Sequence, residues 1–401
     1  MKGRIVVVGA SLGGLRTAEQ LRAAGWTGAI LVIGDEPHMP YNRPPLSKEV
    51  LAGKASVGSL ALRPRTAADV AWLLGTSVAH ARLADGTLTL DSGKQITFDG
   101  LVVATGMRPR RLGCPGPSAG RHTVRTVADV EGLRAELAPR KVRVVVVGAG
   151  FIGCEVAATA IGLGVDEVTV VDPEPLPMLR PLGALLASSL RRRHEAQGVR
   201  FALGRGVVRF EGDERVTGVV LDDGTVLPAD VVVEAVGSVA NTEWLAGNGL
   251  DLTDGVLTDE LLRVGGLPYV VAVGDVARFP NARYDEVPRR VEHWSIPGDT
   301  AKYAARTLVA ALTGAVGKRP LFAPLPSFWS DQYEFRIQSF GAPLLGTADV
   351  RVLGGTPDDD IVVGYHAGGR LVGVAALGSP AAVAGAARYR AELLKQPVPT
   401  S

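Results

Sequence analysis

The chain of 401 residues reads as an α/β protein built from two units of one kind, with a smaller α+β unit at its C-terminal end. Three observations predict this. Residues 4–35 and 143–172 carry one pattern twice: an apolar run, a glycine-rich turn, an Ala- and Leu-rich stretch, and a second apolar run ending in an acid. A turn-containing ribbon and then a return strand (101–109, 231–241) follow each copy. After about residue 318 the pattern changes to short alternating segments and a final helix.

The first unit opens with RIVVV, a run that suits a strand buried on both faces. Gly9 and Gly14 hold the outer positions of a G-x-G-x-x-G turn, Ser11 the middle one, and Gly13 adds freedom beside it. The acid is displaced by one position, to Asp35 after Gly34. The segment PYNRPPLSK (40–48) comes next. Pro44 and Pro45 fix φ and remove two N–H donors, so Arg43 projects from a stiff backbone, and Ser47 is expected to cap a helix beginning near Lys48.

The second unit carries the full turn at Gly148, Gly150 and Gly153, and its second strand ends at Asp172. In this pattern the outer glycines allow a tight turn and close helix packing. The middle one lets a pyrophosphate touch the backbone at a helix N-terminus, and the acid accepts from a ribose 2′-OH. Each repeat is thus a Rossmann-like dinucleotide-binding unit, and two units imply two dinucleotides. The economical pair is a tightly held FAD and an exchangeable nicotinamide dinucleotide. A carboxylate at Asp172 repels a 2′-phosphate, so NADH is expected over NADPH. Arg180 and the run Arg191–Arg193 are the cations that could oppose this.

YVVAVGDVARF (269–279) places Asp275 just past a strand and before an expected helix, where it could hold the ribityl chain of a flavin or cap that helix. The closing segments FRIQSFG, IVVGYH and RLVGVAAL read as antiparallel strands, and AAVAGAARYRAELLKQ as a helix.

Composition bounds the rest. The 43 basic and 41 acidic residues provide no global field for nucleic acid. Cys114 and Cys154 are the only cysteines, so no C-x-x-C redox pair or thiolate metal site can be built, and no metal centre is expected. Sparse cysteine suits a reducing cytoplasm, and Cys154 reads as a buried, inert thiol. No segment approaches the ~20 apolar residues of a bilayer span. The N-terminus enters a strand directly, without a signal-peptide pattern. A cytoplasmic protein with no membrane partner is expected.

Along nearly its whole length the chain resembles the FAD-containing, pyridine-nucleotide-dependent ferredoxin and rubredoxin reductases. These include the putidaredoxin-reductase type and the reductase components of ring-hydroxylating dioxygenases. GASLGG, GDEPHMPYNRPPLSK, VVATG, GAGFIGCEVA, VAVGDVA, RVEHW and FWSDQY carry the likeness. The organisation expected is glutathione-reductase-like: an FAD domain of residues 1–108 and 240–317, an NAD domain of 109–239 and a C-terminal domain of 318–401.

The resemblance implies roles. Asp35 would bind the adenosine ribose of FAD, Val78 the adenine through its backbone, and Arg125 the pyrophosphate region. Arg43 and Lys48 would contact the flavin nucleotide, Asp275 the ribityl chain, and Trp294 and Trp329 the isoalloxazine. Thr105, Ile152 and Gly237 join the glycine turns as cofactor-binding candidates. Lys48 and Glu155 would pair beside the flavin and act in hydride transfer. The partner implied is a 2Fe–2S or related ferredoxin that feeds a monooxygenase or dioxygenase, docking near Arg283, Arg289 and Arg290, two of them in a proline-flanked loop. Two departures stand out: Ala240 replaces a proline of the family's turn, and HWSIPGDT differs from the longer polar consensus. Two other readings are an NADH oxidase or dithiol reductase, which normally needs a redox cysteine near the flavin, and a flavin-bound NADH sensor like apoptosis-inducing factor.

Overall fold

A computed structural model describes residues 3–64, 69–315 and 320–396. The boundary expected at 317/318 lies outside the described residues. The first repeat contributes to a six-stranded sheet in the order Arg263–Val264, Leu267–Ala272, Gly100–Val103, Arg4–Val8, Ala29–Ile33, Ala71–Leu73. Its central strands are parallel, and Ile5, Val6 and Val7 are fully buried, as the unbroken apolar run requires. The helices Leu12–Ala23 and Ile296–Thr313 pack together beside it, so chain from both ends of the sequence builds one unit.

The second repeat forms a five-stranded parallel sheet in the order Arg200–Leu203, Glu167–Asp172, Arg143–Val147, Val231–Glu234, Arg121–His122. The two repeats share a backbone hydrogen bond at their turns. Gly9 N donates to Ile33 O and Gly148 N to Val171 O, each at 2.7 Å. Each repeat also carries a three-stranded ribbon, Val78–Arg82 with its two successors and Val207–Glu211 with its two. Between the units, Met107–Pro109 pairs antiparallel with Ser238–Ala240, and Thr105 and Asn241 exchange hydrogen bonds at 2.7 and 3.0 Å.

The C-terminal unit is an antiparallel five-stranded sheet with Ser327–Gln332 at one edge, covered by the helix Pro380–Lys395. The edge strand alternates: Phe328, Ser330 and Gln332 are buried, while Trp329 and Asp331 are on the opposite face.

Two local expectations are corrected. Pro44–Ser47 is a single 3₁₀ turn, and Lys48 leaves it at φ −125°, ψ −102°, so Ser47 caps no helix. After Asp275 the chain makes a 3₁₀ turn, Gly274–Val276, and enters the strand Ala277–Asn281 rather than a helix. Ala277 and Phe279 alternate inward there, a period-two pattern that sheet pairing captures.

Burial lowers the His194 and His293 imidazoles to about 4 from an ordinary 6.5. Between those values the unfolded chain binds more protons than the folded one, so stability rises with pH there. This contribution is fully present above 6.5 and is lost as pH falls through about 4. The urea midpoint should drop steadily across that window; a flat midpoint would contradict the burial of these neutral rings.

Candidate active site

Glycine packing separates what the protein needs for itself from what it leaves for a ligand. A Cβ on Gly14 would lie 1.9 Å from Gly9 O, and one on Gly153 1.9 Å from Gly148 O. These two glycines let each helix sit against its own turn. A Cβ on Gly150 or Gly237 meets nothing within 4 Å. The protein's own packing does not require Gly150, whereas a phosphate approaching the backbone does. Ser11 and Gly150 precede helices that begin without a side-chain cap, which leaves N–H groups to face an anion. The cradles therefore fit two dinucleotides.

The displaced acid of the first unit has a steric cause. Gly34 occupies the position of Asp172, and a Cβ there would lie 2.3 Å from that of Ala10. The acid moves to Asp35, which is exposed next to the turn. In the second unit Asp172 stays in place: Oδ2 accepts from Ala149 N at 2.6 Å and Oδ1 from Glu174 N at 2.8 Å. Each oxygen keeps lone-pair capacity for a ribose hydroxyl. Ile152, 43% exposed in the first turn of the following helix, offers apolar surface beside Gly150.

In the first unit the candidates converge. Arg43 Nε donates to Ser11 Oγ at 3.3 Å, and Arg43 Nη1 donates to Arg125 O at 2.6 Å. Glu36 pairs with the Arg43 guanidinium and accepts from Tyr41 O–H at 2.6 Å. Arg43 thus works at the glycine turn. Arg125 reaches across to within 3.6 Å of Asp275. Burial pushes the Asp275 carboxyl up, and the Arg125 guanidinium opposes that. Glu292 nearby also pushes it up and Arg290 opposes that. Val78 begins the ribbon just after Thr76, whose N–H donates to Gly34 O, at the Asp35 end of the cradle.

Lys48 and Glu155 come together across the units. Lys48 Nζ donates to Glu155 Oε2 at 3.0 Å, with side chains 13% and 5% exposed. Two hydroxyls join them: Ser47 Oγ donates to Oε2 at 2.5 Å and Ser330 Oγ to Oε1 at 2.6 Å. Sequence reading missed both serines. The signal for Ser330 was its phase in FWSDQ, where every second residue is inward. Trp329 is half-buried on the other face of that strand, and Ser295 Oγ, next to Trp294, donates to Ser327 O at 3.1 Å. The two tryptophan segments are therefore adjacent.

Cys154 lies beside Glu155 but is fully buried, and burial pushes its thiol up, away from the nucleophilic thiolate. Both cysteines are free.

The basic docking candidates are not a free patch. Arg283 is buried, with Nη1 donating to Leu393 O at 3.1 Å at the end of the last helix, so it cannot face a partner. Its charge sits at a helix C-terminus, where it is favoured. Arg289 and Arg290 lie in the strand Asp285–Arg290 rather than a loop, paired with Asp285 and with Asp254 and Glu292. Among the described residues, no helix is long and apolar enough to cross a membrane.

Residues 3–326 match the family described as pyridine nucleotide-disulphide oxidoreductase, and residues 327–395 match the reductase C-terminal family. A probable ferredoxin reductase of Castellaniella defragrans is 37% identical over 94% of this chain and 91% of its own. Putidaredoxin reductase of Pseudomonas putida is 36% identical over 94% and 89%. The crystal structure of the covalent putidaredoxin reductase–putidaredoxin complex matches with a TM-score of 0.87 at 33% identity, covering 97% of this chain and 93% of that one. With its two dinucleotide cradles and its edge-strand C-terminal sheet, the chain belongs to the pyridine nucleotide-disulphide oxidoreductases, a family dependent on FAD and NAD(P)H, and carries their reductase C-terminal domain.

Proposed function

We propose that this protein is a ferredoxin reductase. It takes hydride from NADH onto bound FAD and passes electrons singly to an iron–sulfur ferredoxin that serves a monooxygenase or dioxygenase. The observation that carries this reading is the buried Lys48–Glu155 pair at the junction of the two cradles, in a site with no cysteine pair. A dithiol reductase or a disulphide-type oxidase would need a redox cysteine there. The relatives named as ferredoxin reductases, at 36–37% identity over most of both chains, support the same activity.

Residues 1–108 with 240–317 hold FAD, 109–239 hold the nicotinamide dinucleotide, and 318–401 close the site. The turn Gly9–Ser11–Gly13–Gly14 with Arg43 and Arg125 receives the FAD phosphates. Asp35 and the Val78 strand take the adenosine end, and Asp275 with Thr105 the polyol end, with Trp294 and Trp329 toward the ring. Gly148, Gly150, Ile152, Gly153 and Gly237 receive the nicotinamide dinucleotide. FAD supplies a ring that accepts two electrons together and releases them one at a time. The protein's part is positional: Lys48 and Glu155 fix each other, and that fixed charge pair orients the incoming nicotinamide. Two free cysteines suit a cytoplasmic setting. The ferredoxin docks on the face where Arg289, paired with Asp285, stays partly exposed.

Asp172 sets the nicotinamide choice. Arg180 pairs with Glu174, Arg191 with Glu195 and Arg192 with Asp358, and Arg193 lies over the Phe335 ring, so the nearby cations are already partnered, although the exposed pairs are weak. A phosphate against the Asp172 carboxylate costs several kcal/mol, so kcat/KM should favour NADH about a hundredfold. Steady-state kinetics with both donors checks this, and a preference for NADPH would refute it.

A further inference from the structure

Glu155 does not end at Ser330. Gln332 Nε2 donates to Ser330 Oγ at 3.0 Å, His194 Nε2 lies 2.7 Å from Gln332 Oε1, and Tyr333 Oη lies 3.2 Å from His194 Nδ1. Ser330, Gln332 and His194 are at most 1% exposed. We propose that Tyr333, His194, Gln332 and Ser330 form a one-way chain of hydrogen bonds that positions Glu155, so that the C-terminal sheet sets the geometry of the Lys48–Glu155 pair.

The chemistry of the groups fixes the direction. A carboxylate only accepts, so the Ser330 hydroxyl hydrogen points at Glu155 Oε1. Ser330 then has only lone pairs to offer, so Gln332 must present its NH₂ there and its carbonyl oxygen to His194. That oxygen also only accepts, so His194 carries its proton on Nε2 and leaves Nδ1 to receive the Tyr333 O–H. Every donor is aimed toward Glu155. Burial keeps the partners in the required forms, with the imidazole lowered to about 4 and the Tyr333 phenol pushed up. The chain cannot conduct a proton as drawn, because the Gln332 amide would have to give up and regain a tightly held N–H. It is a positioning device.

The chain also joins three parts of the fold. Ser47 and Lys48 come from the first unit, Glu155 and His194 from two helices of the second, Ser330 and Gln332 from the edge strand of the C-terminal sheet and Tyr333 from the turn after it. The titratable groups facing Glu155 are Lys48 and the neighbouring Cys154 thiol. Around His194 stand Tyr333 and the uncharged rings of Phe201 and Phe335, the latter beneath the Arg193 guanidinium. The Cys154 thiol also faces Tyr333; among the described residues no other acid hydrogen-bonds to the chain, so loss of a donor acts on Glu155 itself.

The test uses the FAD-loaded protein. Nitrogen-15 imidazole NMR should find His194 neutral and protonated on Nε2; an Nδ1–H form overturns the chain. In Ser330→Ala, NADH should reduce the flavin about tenfold more slowly, the value of one hydrogen bond to a charged group. The acid limb of the pH–rate profile should also move toward neutral pH, because the carboxylate form has lost a donor. Gln332→Met should change both in the same direction, and Tyr333→Phe less so. If Ser330→Ala fails to fold with its FAD, these two variants decide by the same readouts. Rates and profiles equal to the parent would overturn the inference. The inference rests on the role given to Lys48–Glu155: an unchanged rate in Lys48→Ala sinks that role. A slowed Lys48→Ala with unaltered Ser330→Ala and Gln332→Met sinks the chain alone.

Discussion

Lys48→Ala is expected to keep FAD bound and to slow reduction of the flavin by NADH about a hundredfold. FAD should be retained because its cradle lies elsewhere, in the first glycine turn, Arg43, Arg125 and Asp275. The rate should fall because, among the described residues, Nζ is the only cation on Glu155, at 3.0 Å in a nearly dry site. Removing it leaves a buried carboxylate with two hydroxyl donors and no countercharge, a change that costs about 3–5 kcal/mol where it has been measured for buried pairs. The carboxylate then rotates or takes up a proton, and the fixed charge pair that orients the nicotinamide is gone. Glu155→Gln keeps the volume and should give a smaller loss in the same direction. Stopped-flow reduction under saturating NADH is the check, and parental rates in Lys48→Ala would end the assignment.

Two glycine substitutions should separate the cradles. Gly14→Ala places a methyl 1.9 Å from Gly9 O, a backbone atom that cannot move without breaking the turn. The protein should purify without FAD, with a thermal midpoint lower by many degrees, since overpacking of this kind costs about 1–3 kcal/mol and the loss of a bound cofactor adds to it. Gly150→Ala meets nothing within 4 Å of protein. It should fold normally, keep FAD and weaken NADH binding at least tenfold, because the methyl enters the space a pyrophosphate must use. If Gly150→Ala binds NADH as the parent does, the second turn is structural only.

Much of this was legible in the sequence because the signals were local and repeated. The two Val-rich runs, the glycine turns and their terminal acids specify parallel strands, tight turns and phosphate-facing helix ends within some thirty residues each. The displaced acid of the first unit was readable too, although its cause, the contact between position 34 and Ala10, needed the fold. Readings failed where tertiary contacts overrode local chemistry. Ser47 looks like a helix cap, but its hydroxyl is taken by an acid 108 positions away. VARF after Asp275 looks helical until two neighbouring strands pair with it. Arg283 looks like surface charge, but it is buried against the end of the last helix. The serines that hold Glu155 were hidden for the same reason: each is unremarkable in its own segment, and only the folded chain brings them to one carboxylate.

The proposed function requires electron transfer from a two-electron donor to a one-electron acceptor. It is tested most directly by anaerobic stopped-flow spectroscopy. The purified, FAD-loaded protein is first reduced with one equivalent of NADH and then mixed with a 2Fe–2S ferredoxin. NADH should bleach the flavin rapidly, and the flavin should then be reoxidised with two ferredoxins reduced per flavin. Flavin that NADH reduces but no ferredoxin reoxidises, leaving a long-lived complex with oxidised nicotinamide, would contradict it and favour a sensor.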